Sequence, residues 1–237
     1  MRYKRNSFLI EGKKNVVEAL KTGQKISNIY FSDEIDNKYI DKIDQLINNS
    51  ISLEKVTAEN ISETSTLVNP EGVLAIGKID EQKKVKALKQ DKYLFLYRIK
   101  DPGNLGTILR TAAWFDIKNI LLSSGSVDPY NPKVVRASMG GLFYTSIITD
   151  VDFQELKEVS KQENIKILSA DMSGKRISKI KNPPEYFILC MGNESHGLSN
   201  EIVNSSDLIV SIPKLGQGES LNLAISAGII IKDLVIP

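Results

Sequence analysis

Three short segments in the second half of the chain carry polar side chains in positions where they could do chemistry. The segments read DPGNLGTILR, MGNESHGL and IPKLGQGESLN, and they occupy residues 101–110, 191–198 and 212–222. Each follows a short apolar run typical of a buried strand, and ligands in open α/β sheets bind at the carboxyl ends of strands. The candidate functional side chains are Asn104, Arg110, Glu194, His196, Ser220 and Asn222.

The first segment places an amide and a guanidinium six residues apart. At that spacing Asn104 and Arg110 need not share a helical face. If Asn104 precedes the helix and Arg110 lies over its second turn, both side chains can face one cleft. The alternative is a helix N-cap followed by a surface arginine.

The second and third segments each leave a functional and a structural interpretation open. Glu194 has the location of a site residue, although a glutamate at a helix start is also ordinary capping. His196 suggests a general base, but no matched acid or nucleophile accompanies it. Ser220 stands immediately before an apolar helical run and is predicted to be its N-cap. That final helix has almost no polar face, which predicts that it inserts into the protein body or into a partner subunit.

The composition is that of a globular protein with a substantial core. The chain has 237 residues, 41% of them hydrophobic, and a net charge of +2. Residues 1–25 hold seven Lys and Arg against two Glu, an excess of +5 that suits either a solvated face or phosphate contacts. One cysteine and one histidine cannot build a disulfide or a zinc cluster, and no segment approaches the roughly 20 apolar residues of a membrane span. We expect a cytoplasmic protein without a metal site, in which Cys190 lies in a buried strand.

Two patterns of apolar residues divide the chain. Residues 1–77 alternate helical and strand patterns, which predicts a small α/β/α domain, and the lysine-rich residues 78–92 predict a linker or a solvated connecting helix. From residue 93 to residue 237, short apolar runs alternate with helical patterns, which predicts a mostly parallel α/β sheet. The strands predicted in this second domain are Tyr93–Tyr97, Ile120–Leu122, Ile165–Leu168, Tyr186–Met191 and Leu208–Ile212.

Three ordered motifs connect these observations to a known family. The stretches NLGTILRTA, MGNESHGLS and IPKLGQGESLNLAISAG, in that order and at these separations, strongly resemble the signature motifs of the SpoU/TrmH family. That family belongs to the SPOUT superfamily of S-adenosylmethionine-dependent RNA 2′-O-ribose methyltransferases. The resemblance covers residues 93–237. The start of the chain, with FLIEGKKNVVEAL, resembles the small ribosomal-protein-like RNA-binding domain found in many rRNA-modifying members.

The resemblance implies a SPOUT α/β domain with a trefoil knot, in which the C-terminal stretch is tucked through a loop and forms the cofactor pocket. It also implies a homodimer whose active sites lie near the subunit interface. The backbone implied to hold S-adenosylmethionine surrounds Gly192, Ile212 and Leu221. The side chains implied to line the catalytic cleft are Asn104, Arg110, Glu194, Ser220 and Asn222.

The residues leave the substrate and one catalytic role open. The N-terminal domain favours rRNA as the substrate, with tRNA as the alternative, and a non-catalytic RNA-binding or ribosome-assembly factor would share the fold. Because a guanidinium stays protonated in most sites, we favour an electrostatic role for Arg110 over the activating base that family proposals also consider. Lys214 stands where the family commonly has an apolar residue, and Arg98 and Lys100 precede the first motif. These cations either extend a basic RNA track or are simply exposed.

Overall fold

The first of two β-sheets is built by the N-terminal third of the chain. The structure, a computed structural model, describes residues 6–81 and 84–236. The elements of this part are β1 (Ser7–Glu11), α1 (Lys13–Lys21), β2 (Ile26–Phe31), α2 (Asn37–Leu46), β3 (Ser52–Lys55), α3 (Ala58–Thr64) and β4 (Val73–Lys78). The strand order is β1-β4-β2-β3, in which β2 and β3 run parallel and the other two pairs are antiparallel. Strand β1 and helix α3 were not predicted from the sequence.

The second sheet is fully parallel. Its elements are β5 (Lys92–Leu96), α4 (Pro102–Trp114), β6 (Asn119–Ser123), α5 (Pro132–Ala137), β7 (Ser146–Val151), α6 (Phe153–Gln162), β8 (Lys166–Arg176), β9 (Phe187–Met191), α7 (Asn200–Asn204), β10 (Leu208–Ser211) and α8 (Leu223–Val235). The six strands lie in the order β10-β8-β9-β5-β6-β7, and every neighbouring pair is parallel. The predicted α/β fold is confirmed, with β7 as a strand that the sequence pattern did not predict.

Helices cover both faces of this sheet, which is why its central strands β5, β6 and β9 are largely apolar. Side chains alternate along β5: Leu94 and Leu96 pack in one cluster with α4, α5 and α8, whereas Phe95 packs in another with α6 and α7. Cys190 in β9 is fully buried in the second cluster, as predicted. Burial raises the pKa of the Cys190 thiol, so it stays protonated and unreactive.

The segment between the sheets is less solvated than its composition suggests. Lysines dominate residues 78–92, but Val85 and Leu88 are buried in the same cluster as α6. A 3₁₀ turn, Val85–Ala87, presents this pair to the core. The sequence predicted a linker or a solvated connecting helix. The described residues of this segment form a 3₁₀ turn, and two apolar side chains anchor it to the protein. Within the described part of the chain, no helix is long and apolar enough to cross a membrane.

The two sheets share one hydrophobic core. Phe8 in β1 lies against Tyr130 of the second half, with ring centroids 4.8 Å apart. Gly77 in β4 makes room for this contact, since a Cβ there would lie 2.7 Å from the Phe8 ring. The Tyr144 hydroxyl donates to Glu18 Oε2 across the same junction (2.7 Å). The N-terminal sheet is therefore packed directly against the larger one.

A buried carboxylate closes one edge of this junction. Glu11, at the end of β1, is 3% exposed and accepts hydrogen bonds from Ser65 Oγ (2.7 Å), Thr66 N (2.7 Å) and Thr66 Oγ1 (2.6 Å). Arg136 of α5 donates to Thr66 Oγ1 (3.3 Å), which extends the network to the second sheet. Glu11 thus fixes the chain that leaves α3 and sets it against α5.

Removing the Glu11 carboxylate should cost more stability than removing an exposed one. We expect Glu11→Ala to lower the free energy of unfolding by about 2–3 kcal/mol, because three donors lose a charged acceptor in a confined site. Glu63→Ala, at an exposed position of α3, should change it by less than about 0.5 kcal/mol. Urea unfolding of both variants measures the difference, and equal values would contradict this role of Glu11.

Candidate active site

In the larger sheet, the chain segments that follow two neighbouring strands leave in opposite directions. Strands β5 and β9 are neighbours, with Leu96 opposite Met191 at their carboxyl ends. The chain after β5 runs through α4 to β6 on one side, whereas the chain after β9 runs through α7 to β10 on the other. Such a switch point leaves a crevice outside the strand ends, where open α/β sheets bind ligands.

Three side chains from the three motif segments meet at this crevice. Asn104 Nδ2 donates to Glu194 Oε1 (2.5 Å), and Asn222 Nδ2 donates to Asn104 Oδ1 (2.9 Å). Asn104 is half-buried, whereas Glu194 and Asn222 are exposed, so the network opens to solvent. We call Asn104, Glu194 and Asn222 the polar trio. The sequence predicted all three as site residues, and the structure brings them together.

Asn104 does not precede its helix, as one sequence interpretation supposed. Asp101 is the N-cap of α4, and its Oδ1 accepts from Asn104 N (2.7 Å), with Pro102 in the first turn. Asn104 therefore lies inside the first helical turn. Both sequence interpretations of Asn104 are thereby corrected. Asn104 neither precedes the helix nor caps it, because Asp101 and Pro102 start the helix earlier.

Arg110 does not join the polar trio within this chain. Six residues of helix separate it from Asn104 by about 9 Å along the axis and about 120° around it. Its side chain is exposed, and the described residues provide no ion pair for it. Gly141 packs against its backbone, since a Cβ there would lie 2.6 Å from Arg110 Cα. The guanidinium is thus held at the surface and available to a charged partner.

The loop after β9 is folded tightly so that Glu194 lies at its tip. Gly192 is buried, and a Cβ there would come within 2.0 Å of the Gly197 carbonyl carbon. Asn193 closes the turn, accepting at Oδ1 from Ser195 N (3.0 Å) and His196 N (2.7 Å). His196 thus orders the loop through its backbone, while its ring is exposed. The general-base interpretation of His196 has no structural support among the described residues.

The third segment places Asn222, and not Ser220, at the start of α8. Asn222 Oδ1 accepts from Ala224 N (2.9 Å) and Ile225 N (3.3 Å), so it caps the helix while its amide nitrogen reaches Asn104. The prediction of Ser220 as N-cap was wrong. Ser220 and Leu221 are exposed in the loop before the helix, and Ile212 is half-buried at the loop's start. No backbone hydrogen bond joins residues 213–221 to other described residues.

A separate cavity of about 260 Å³ does not contain the polar trio. It lies at the carboxyl ends of β6 and β7 and is lined by residues that include Ser123, Ser126 and Thr149. None of the predicted site residues lines it. We place the site at the crevice between β5 and β9, because three independent segments of the chain converge there.

Comparison with known families assigns the chain. Residues 91–232 match the model of the SpoU rRNA methylase family, and residues 1–75 match that of the MRM3-like substrate binding domain. The chain belongs to the SpoU rRNA methylase family. The family predicted from the three motifs is confirmed.

Individual relatives align along nearly the whole chain. The 23S rRNA (guanosine(2553)-2'-O)-methyltransferase RlmP of Bacillus subtilis is 30% identical over 234 residues, covering 98% of this chain and 90% of that protein. The AdoMet-bound rRNA methyltransferase from Sinorhizobium meliloti is 28% identical, with a TM-score of 0.83 over 98% of this chain and 88% of that one. A TrmH-family structure from Porphyromonas gingivalis gives 26% identity and a TM-score of 0.86, over 98% and 91%.

Two residues that shape this SpoU-family site were missed in the sequence. Asp101 positions Asn104 by capping α4, and Asn193 folds the loop that carries Glu194. Asp101 had a local signal, because an Asp followed by Pro is a common helix start. Asn193 had a weaker one, since Asn side chains often bond the backbone two residues on. Both act by accepting hydrogen bonds from backbone N–H groups.

The corrected helix cap can be tested by comparing two nearby substitutions. Asn222→Ala should lower the free energy of unfolding by about 1–2 kcal/mol, because two N–H groups of α8 lose their acceptor. Ser220→Ala should change it by less than about 0.5 kcal/mol, since its side chain is exposed and caps nothing. Thermal or urea unfolding of the two variants measures the difference. An equal or larger loss of stability in Ser220→Ala would indicate that Ser220, and not Asn222, is the N-cap of α8.

Proposed function

We propose that this chain transfers a methyl group from S-adenosylmethionine to a ribose 2′-hydroxyl of rRNA, at the crevice that the polar trio lines. The observation that carries the proposal is the convergence of Asn104, Glu194 and Asn222 at the switch point of a SpoU-family sheet. RlmP is named for 2′-O-methylation of 23S rRNA, and the Sinorhizobium meliloti structure contains AdoMet. These relatives favour rRNA over tRNA and catalysis over a binding role alone.

The loops at the crevice suit a nucleoside cofactor. Peptide groups of residues 213–221 have no backbone partner among the described residues, and Gly216 and Gly218 have open space where a Cβ would be. Free backbone donors and acceptors of this kind can bind adenine, ribose and carboxylate groups. We assign cofactor contacts to the backbone around Gly192, Ile212 and Leu221. When bound, S-adenosylmethionine supplies a methyl group that is already activated for attack.

The protein's own residues must then align and activate the ribose hydroxyl. Glu194 Oε1 is engaged by Asn104, which orients this carboxylate at the mouth of the crevice, and Asn222 fixes the Asn104 amide in turn. Ser220 is exposed two residues before Asn222, where it can contact the ribose.

Arg110 does not join the polar trio of its own chain, but it lies one helical turn before Trp114 on α4, beside the surface proposed for the dimer. In the proposed dimer it would bind a phosphate of the RNA or stabilise the developing negative charge on oxygen at the partner's crevice. This chemistry needs orientation more than a strong base.

The first 77 residues are assigned to RNA binding. Residues 1–75 match a substrate-binding domain, and three lysines surround one aromatic ring: Lys13, Lys38 and Lys42 each lie 5.5 Å from the centroid of Tyr39. An aromatic ring among cations can stack a base and hold phosphates. The excess of +5 counted in residues 1–25 overstates the free charge, since Lys21 and Lys25 pair with Glu18 and Asp80. Arg2, Lys4 and Arg5 lie outside the described residues.

The trefoil knot and the cytoplasmic location stay proposals. The knot is supported by the path of the C-terminal stretch, which leaves the edge strand β10 and returns past β8 and β9 to meet Asn104 after β5. Helix α8 then packs against α4. The division at residues 78–92 into an RNA-binding domain and a methyltransferase domain is likewise retained, with the change that Val85 and Leu88 anchor the connecting segment.

A homodimer is supported by an apolar surface on the paired helices α4 and α8. Trp114 is 84% exposed, Ile225 57% and Ile229 37%. Ile225 and Ile229 are one helical turn apart, so they share a face. A partner subunit would cover this surface. Insertion of α8 into a partner subunit was one of the two possibilities predicted from the sequence.

The dimer can be broken selectively. We expect a dimeric mass for the wild type by light scattering, from an interface of at least about 1,200 Å². Ile225→Asp should give a monomer because a charge cannot be buried unpaired in an apolar interface. Val68→Asp, on an N-terminal loop where Val68 is 94% exposed, should stay dimeric. A monomeric wild type, or a dimer in both variants, would contradict the assignment.

Cofactor binding can be measured directly. S-adenosylmethionine at ~100 times its dissociation constant should stabilise the wild type by about 2.7 kcal/mol in thermal unfolding. Gly192→Ala should abolish this stabilisation, because the added Cβ displaces the loop at Gly197. Calorimetry on the same samples gives the affinity. Folded wild type that shows neither heat nor stabilisation would rule out the proposed cofactor.

The role of Arg110 can be separated from that of a surface arginine. Arg110→Ala should slow single-turnover transfer of labelled methyl to rRNA by roughly 100-fold or more, with cofactor affinity unchanged. Arg110→Lys keeps the charge but loses the planar fork, so partial rescue indicates simple electrostatics. Wild-type rates in Arg110→Ala would remove this residue from the catalytic set. Absence of transfer by the wild type would overturn the proposed function itself.

A further inference from the structure

Strand β8 continues beyond the sheet toward the proposed active site. It pairs with β9 only as far as Ser169, and residues 170–174 then leave the ladder. Lys175 and Arg176 rejoin it opposite Val210 and Ser211 of β10. Gly174 permits this return, since a Cβ there would lie 2.6 Å from the Ile209 carbonyl carbon, and its own carbonyl accepts from Ser211 Oγ (2.8 Å).

The residues that follow are anchored so that their cations face outward. Ile177 is 2% exposed, and Ile180 packs against the main core. The 3₁₀ turn Ile177–Lys179 also contacts α8. The charged side chains between and beside these isoleucines are exposed. We call Lys175, Arg176, Lys179 and Lys181 the basic strip.

The positive charge of the basic strip is not compensated by acidic residues within its own segment. Residues 172–184 contain four cations and no acidic residue. Within the described residues none of the four forms an ion pair, in contrast to Lys25 with Asp80 and Lys166 with Asp207. Asp171, the preceding acid, accepts from the N–H and hydroxyl of Ser173 (2.9 and 2.6 Å), which lower its pKa. A surface of this kind attracts a polyanion.

The position of the basic strip indicates which polyanion. Arg176 lies opposite Ser211, the residue before Ile212, where the proposed cofactor loop begins. Lys214 follows three residues after Ser211 and is also exposed. The strip therefore lies at the same carboxyl edge of the sheet as the crevice, on the β10 side and beside the start of the proposed cofactor loop, while the N-terminal sheet packs against α5. When a ribose of the RNA enters the crevice, the phosphates that flank it must lie near either the β10 side or the side of the N-terminal sheet.

We propose that the basic strip, together with Lys214, binds phosphates of the RNA strand that carries the target ribose. This rests on the proposed function and adds a second RNA contact, made by the catalytic domain itself. The contact is electrostatic and independent of base identity. It holds the strand at the crevice while the N-terminal domain selects the RNA.

The test uses the full-length protein and a triple substitution, Lys175→Gln, Arg176→Gln and Lys179→Gln. The control, Lys89→Gln, Lys118→Gln and Lys166→Gln, removes the same charge from lysines paired with Glu163, Asp116 and Asp207. Affinity for a single-stranded RNA of mixed sequence, about 20 nucleotides long, is measured from low to high salt. The strip variant should lose about 2 units of slope in log K against log salt, and about tenfold or more in affinity at low salt.

Cofactor affinity and thermal stability should be unchanged in the strip variant, and methyl transfer at saturating rRNA should approach the wild-type rate with a raised KM. A slope and affinity equal to those of the control variant would overturn the assignment. If the triple variant unfolds, the single change Lys179→Glu provides a second test. It should weaken RNA binding relative to the wild type, because the new carboxylate repels phosphate. If the wild type transfers no methyl to rRNA, the proposed function fails, while the salt slopes still decide the strip.

Discussion

The structure depends on the adjacency of β5 and β9, two strands buried on both faces whose following chains leave in opposite directions. Because both faces are covered by helices, these strands can carry almost no polar side chains, and chemistry is confined to their carboxyl ends. The divergence of α4 and α7 leaves those ends open. Asn104, Glu194 and Asn222 meet there although Asn104 is separated from the other two by 90 and 118 residues.

The N-terminal sheet is held to the catalytic sheet by packing and by polar contacts. Phe8 enters a core shared by both sheets, and Glu11 links the chain after α3 to Arg136 through Thr66. In the proposed function, a domain docked in this way would present bound RNA from a fixed direction. The distance between a recognised feature of the RNA and the methylated ribose would then be set by the fold, and the proposed contacts of the basic strip would guide the strand between them.

Much of this arrangement could be predicted from the sequence, because buried strands and covering helices have strong periodic signals. The parallel sheet, the location of Cys190 and the polar trio all followed from local patterns or from the motifs. Strand β1 could not be predicted locally, since its pairing with β4 joins residues such as Ser7 and Lys78 that are distant in sequence. The cap of α8 was misplaced because Ser220 and Asn222 are both good caps, and only tertiary contact with Asn104 distinguishes them. The apolar pattern of α8 left two predictions open, insertion into the protein body or into a partner subunit, because hydropathy alone does not distinguish a core from an interface.

The central claim is that the crevice between β5 and β9 methylates a ribose of rRNA, and mapping of 2′-O-methyl groups tests it most directly. rRNA would be mapped from cells that lack the protein and from the same cells supplied with wild type or with Asn104→Ala. The account predicts that one or a few ribose methyl groups disappear without the protein, return with the wild type and fail to return with Asn104→Ala. Identical rRNA maps in all cells, or full restoration by Asn104→Ala, would contradict it.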